Sequence, residues 1–177
     1  MEAILDADVL MVGDLVIRKP REEPLALLPT GLERQGNPGR VWDLFIPGAT
    51  TPPISANDQQ GPRAGIIVNG KRRDVGRKVG RAIRAAGWPQ LHGAITVGLV
   101  YYLRNNGWAD ADNIAPTLKP CLDAMKPPTD RRPWGASIIP EDHSGVVRRT
   151  WQEVVQRADD PHPELGPRVL LVVVEVA

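Results

Sequence analysis

The segment Asp110-Ala111-Asp112-Asn113 carries the residue types best suited to chemistry. It follows a β-branched and aromatic run and a turn, and in extended backbone residues two apart point the same way. Asp110 and Asp112 are therefore expected to share a hard cation. Magnesium asks for only one or two carboxylates, with water and substrate phosphate completing its shell. A third acid stands at Glu141-Asp142, in a loop after Ile138-Ile139. A cation held this way offsets charge on a scissile phosphate and activates water, which is what nuclease chemistry needs. The same Asp-x-Asp spacing also serves turns and helix caps, so its meaning depends on its company.

That company includes a basic stretch. Between Arg63 and Arg84 lie eight basic residues (Arg63, Lys71, Arg72, Arg73, Arg77, Lys78, Arg81 and Arg84) against one acid, Asp74. Lys71–Ala86 has helical periodicity, and at about 100° per residue Arg73, Arg77, Arg81 and Arg84 form one stripe. Val75, Val79, Ala82, Ile83 and Ala86 fall opposite. Such a helix buries one face and presents guanidinium groups on the other. A one-signed face favours phosphate contact over simple solvation, making Lys71, Arg72, Arg73, Arg77, Lys78, Arg81 and Arg84 the candidate DNA contacts. Gly76 and Gly80 each cost about 1 kcal/mol of helix propensity relative to alanine, so a phosphate backbone or a partner helix is expected to come close there.

In order, Asp110-Ala111-Asp112-Asn113, Lys119-Pro120-Cys121-Leu122-Asp123-Ala124-Met125, then Glu141-Asp142 and Val146 resemble the core of the RusA endonucleases. Upstream, Pro52-Pro53-Ile54-Ser55-Ala56-Asn57 is similar to that family's proline-serine-asparagine entry ahead of its basic helix. The resemblance spans roughly residues 41–177. It implies a homodimeric, magnesium-dependent resolvase of four-way DNA (Holliday) junctions that makes paired symmetric nicks, with manganese as an alternative ion. Asp110, Asp112 and Asp142 would bind the metal, and Lys119 would contact or polarise the phosphate. Asp123 also matches a family position, where a structural hydrogen bond is an equal reading. Phage or prophage origin, and action in the cytoplasm of a bacterial host, follow from the same resemblance. Flaps or forks are alternative substrates, and a non-catalytic junction- or DNA-binding protein is the alternative from another class.

One spacing departs from the family. Its lysine usually lies three residues after the asparagine, whereas Lys119 lies six after Asn113. With Thr117 as N-cap, Pro120 falls in the first helical turn, where its missing N–H is harmless. The three extra residues then belong to the loop, and the helix is expected over Leu118–Lys126.

The elements that must hold these groups are legible from Val41 onward. Val41–Ile46, Ala94–Leu103 and Arg168–Val176 read as strands, the last buried, while Val146–Val155 is ambiguous between strand and helix. Gly87 supplies a helix stop, Asn105-Asn106-Gly107 a turn, and Thr51–Pro62 a loop. Strands alternating with two main helices give an α/β (α+β) fold with a single mixed sheet. Val9–Ile17 has strand character, but Lys19–Arg40 is rich in Pro, Gly and charge. Residues 1–40 are therefore an arm or extension to a 41–177 domain, or a peripheral strand and loop packed on it.

The chain of 177 residues suffices for one core, and its net charge of +1 hides the segregation just described. A lone cysteine, Cys121, excludes an internal disulfide and a multi-cysteine zinc site; with Ile114, Leu118 and Met125 it reads as core. His92, His143 and His162 have no metal-ligand spacing, and Trp108 reads as an anchor for its loop or a stacking platform. The acidic start and the absence of a membrane-length apolar run predict a soluble protein without membrane partners.

Overall fold

The computed structural model describes residues 9–12, 15–21, 38–47, 53–59, 63–106 and 110–176. Trp108, Pro52 and most of the 19–40 stretch lie outside the described residues. Six strands, β1 (Val9–Val12), β2 (Leu15–Arg21), β3 (Pro38–Pro47), β4 (Ala94–Tyr102), β5 (Val147–Val155) and β6 (Arg168–Val176), form one mixed sheet in the order β1-β2-β3-β6-β4-β5. Two helices accompany it, α1 (Ala64–Ala85) and α2 (Ala115–Met125). The expected single mixed sheet with two helices is what the chain forms.

Among the described strands only β4 and β5 pair in parallel, and the other pairings are antiparallel. A parallel pair needs a crossover connection, and α2 lies within the one between β4 and β5. Because β3 and β6 are antiparallel, and β6 and β4 likewise, β3 runs with β4 and α1 lies in the segment joining them. Strand character settles the ambiguous Val147–Val155 segment. The hairpin β1–β2 extends the sheet beyond β3, with Val16 opposite Phe45, so two strands from within residues 1–40 join it.

Central β6 is covered on both faces, which is why its sequence is continuously apolar rather than alternating. Val169, Leu171 and Val173 join the main core with Trp42, Leu44, Val97, Leu99 and the inner faces of both helices. Leu170, Val172 and Val174 turn the other way and cluster with Val100 and Tyr102. Gly98 has a packing reason: a Cβ there would run into the Trp151 ring from neighbouring β5.

Helix α1 begins seven residues before the expected Lys71. Two glycines and β-branched Ile66 and Ile67 weaken propensity in that first stretch, yet buried Val68 continues the stripe of Val75, Val79 and Ile83. Tertiary burial therefore overrides propensity. At the other end Gly87 takes φ +64°. Its N–H bonds the Arg84 carbonyl at 3.1 Å and Trp88 N–H bonds that of Ile83 at 3.3 Å, the glycine cap the sequence predicted.

Helix α2 corrects the expected N-terminus. It starts at Ala115, directly after a 3-10 turn over Ala111–Asn113, so Thr117 is not its N-cap and Pro120 lies inside the helix. Pro116, with its preset φ, sits in the first turn and favours this early start. The Thr117 hydroxyl is committed elsewhere: it accepts from Ile54 N–H at 3.1 Å and donates to the Ile54 carbonyl at 2.9 Å. That clasp ties the 53–59 segment to α2. Burial of Ile114, Leu118, Cys121, Leu122 and Met125 along one face offsets the proline's cost.

Candidate functional site

The 3-10 turn fixes where Asp110 and Asp112 stand. Asp110 is extended (φ −76°, ψ 139°), and its carbonyl accepts from Asn113 N–H at 3.0 Å. Asp112 already belongs to the turn. The two-residue alternation that was expected to align both carboxylates therefore does not apply. Both side chains are exposed, on the turn that leads into α2.

One α-helical turn separates Lys119 from Asp123, whose carboxylate lies 3.2 Å from the Lys119 ammonium. The loop after Ile138-Ile139 brings Asp142 to the same ammonium at 2.6 Å. A second lysine, Lys126, completes the group at the end of α2: its ammonium lies 2.8 Å from Asp123 and 3.1 Å from Asp142. The Lys126 side chain is only 8 % exposed, and these two carboxylates face its ammonium. Arg132 Nη1 reaches Asp123 at 3.2 Å from the following loop.

Partial burial pushes the Asp142 carboxyl up, but hydrogen bonds from Lys119 and Lys126 outweigh it and hold the group down at about 2. For Lys119, desolvation works to lower the pKa, while Asp142 and Asp123 raise it above the usual lysine value. Asp142 and Lys119 thus both stay charged through the neutral range. Burial pushes the Cys121 thiol up to about 12, which removes it as a nucleophile or metal ligand.

The predicted site residues are brought together only in part. Lys119 and Asp142 meet; Asp110 and Asp112 stay paired along the chain. Among the described residues no three His, Cys, Asp or Glu side chains are grouped so as to hold a metal ion. Asp142 is instead neutralised by two lysines. Oxygen donors on an exposed turn suit magnesium in kind, and two carboxylates satisfy what it asks of a protein. Asp110 and Asp112 therefore fit the ion, whereas Asp142 would join only by exchanging lysine contacts. Of the histidines, His162 lies 3.3 Å from Glu164 and His143 Nδ1 accepts from Gly145 N–H at 3.0 Å.

The basic helix has the two faces the sequence predicted. Arg72, Arg73, Arg77, Arg81 and Arg84 are exposed, while Val75, Val79, Ala82 and Ile83 are buried. Some cations are already engaged: Lys71 with Asp58 at 2.7 Å and Lys78 with Asp74 at 3.3 Å. Arg84 donates to the carbonyls of Trp134 at 2.7 Å and Gly135 at 2.8 Å. The close approach at Gly76 and Gly80 comes from neither phosphate nor a partner helix. Trp134 occupies it: a Cβ on Gly76 would lie 2.6 Å from the indole nitrogen, and one on Gly80 would strike the Trp134 carbonyl.

Lys126, Arg131, Arg132 and Trp134 were not singled out from the sequence. A signal existed, since two glycines four apart on a helix call for a bulky neighbour and Arg131-Arg132-Pro133-Trp134-Gly135 offers one. Arg131, Arg132 and Trp134 help enclose a cleft of about 270 Å³ between α1 and α2, lined by Asn69, Arg72 and Arg73 on one side and by Pro120 and Asp123 on the other. No helix of the described residues is long and apolar enough to cross a membrane. Compared with models of known families the chain matches none, and no curated protein matches it.

Proposed function

We propose that this chain is a divalent-metal-dependent DNA endonuclease acting on branched DNA, with four-way junctions, the substrate implied by the RusA resemblance, as its target. The observation that carries the reading is an arginine-lined cleft that borders on Asp123, one member of the Lys119–Asp123–Lys126–Asp142 group. The cationic groups of the cleft would take the phosphates. Asp110 and Asp112 would hold magnesium or manganese, which when bound offsets phosphate charge and acidifies a water. Lys119, paired on α2 with Asp123 and Asp142, would contact a phosphate oxygen and stabilise charge developing there.

Paired cuts on strands related by two-fold symmetry need two such sites, and one chain supplies one aspartate set. A homodimer with an isologous interface meets that need. Replacing Asp112 with Asn tests the reading: magnesium-dependent cleavage of a four-way junction should be lost while junction binding is retained. Wild-type cleavage rates in D112N would remove Asp112 from the chemistry. One observation favours a second reading, a DNA-binding protein without catalysis: Asp142 is already neutralised by two lysines. Cleavage by the wild-type protein separates the two.

A further inference from the structure

The cleft between the helices has features that the basic stripe alone does not explain. Its lining sets four arginines, Arg72, Arg73, Arg131 and Arg132, against one carboxylate, Asp123. Of these arginines Arg132 pairs with that carboxylate, at 3.2 Å, which Lys119 and Lys126 also contact. Arg72, Arg73 and Arg131 carry no ion pair among the described residues and are exposed. Guanidinium groups gathered in a concavity recognise phosphate through paired N–H donors, and their mutual repulsion is relieved by an anion.

The loop that brings Arg131 and Arg132 is held in place before any ligand arrives. Thr129 and Arg132 exchange backbone hydrogen bonds at 3.1 and 2.9 Å, closing a tight turn with Arg131 at its tip. Arg84 fastens the next residues to α1 through two carbonyls. At the start of the loop the end of α2 is tied down as well: Ala136 N–H bonds the Ala124 carbonyl at 2.8 Å and Ile138 N–H that of Met125 at 2.7 Å. Preorganised donors lose little entropy on binding.

We infer that this cleft is a phosphodiester subsite that grips a single DNA strand beside the Lys119–Asp142 group. The inference rests on the endonuclease reading for its choice of occupant. At about 270 Å³ the cleft is just below the roughly 300–1,000 Å³ of small-ligand clefts, which leaves room for a phosphate with its sugar. Arg73 belongs both to the cleft and to the stripe of Arg77 and Arg81, so one strand can run from the helix face into the subsite.

The test measures binding of fluorescein-labelled single-stranded and four-way-junction DNA by anisotropy across a salt series, in EDTA so that cleavage plays no part. The variants are Arg72→Ala with Arg131→Ala, Arg131→Ala alone, and Arg40→Ala as an exposed arginine outside the cleft lining. For single strands each lost phosphate contact lowers the log–log salt slope by about 0.7, so the double variant should lose about 1.4 and R131A about half of that. R40A should keep the wild-type slope. Wild-type slopes in the double variant, or an equal loss in R40A, would overturn the subsite while leaving magnesium-dependent cleavage, and with it the endonuclease reading, intact. Inorganic phosphate bound by the wild type and lost in R131A, with no DNA bound at all, would overturn DNA as the occupant.

Discussion

Replacing Asp142 with Asn keeps the shape of the side chain and removes its charge from between two lysines. In the native protein the Asp142 carboxyl sits at about 2 rather than 3.8, a difference just under two units. Each unit corresponds to about 1.4 kcal/mol. The side chain is 20 % exposed, so water screens part of the interaction and the native pairing contributes up to about 2 kcal/mol. The sign follows from the depressed native pKa. Above the unfolded-state value near 3.8 the full contribution is present, and it is lost as pH falls toward about 2. Urea unfolding of both proteins between about pH 7 and pH 2.5 should therefore show D142N less stable by up to about 2 kcal/mol at neutral pH. The gap should narrow steadily below about pH 4. A gap that stays constant with pH, or none at neutral pH, would refute the assignment of Asp142 as the carboxylate held by Lys119 and Lys126.

Three further outcomes follow from packing. Gly80→Ala pushes a Cβ into the Trp134 carbonyl, whereas Gly70→Ala meets nothing within 4 Å. Thermal denaturation should show G80A destabilised by about 1–2 kcal/mol and G70A stabilised by up to about 1 kcal/mol; equal effects would contradict the loop's seat on α1. Thr117→Val leaves the buried Ile54 N–H without its acceptor, and should cost about 1–3 kcal/mol in urea unfolding. Cys121, buried and with its thiol pushed up to about 12, should react with a disulfide reagent only after denaturant is added; rapid labelling of the native protein would contradict that burial.

Local pattern was enough where one periodicity ruled. The opposed faces of α1, the glycine cap at Gly87 and the buried run of β6 all follow from residue order, because each depends on local pattern within one element. The errors arose where tertiary contacts decided. Thr117 has the chemistry of an N-cap, but Ile54, sixty-three positions away in sequence, claims its hydroxyl. Gly76 and Gly80 announce a close neighbour without naming it, and Trp134 from a distant loop fills the space. At the candidate site, Lys119 and Asp142 were both legible as chemical groups. Their partnership was not, because only the fold brings the Asp142 loop to α2, and Lys126 likewise looks like an ordinary solvated lysine until it is buried between two carboxylates.

The most direct test of the account is a nuclease assay with purified protein on four-way, flap and linear duplex DNA, with and without magnesium. The expected result is magnesium-dependent cleavage with the four-way junction preferred, and nicks placed symmetrically on opposing strands. Tight junction binding with no cleavage in either magnesium or manganese would contradict it.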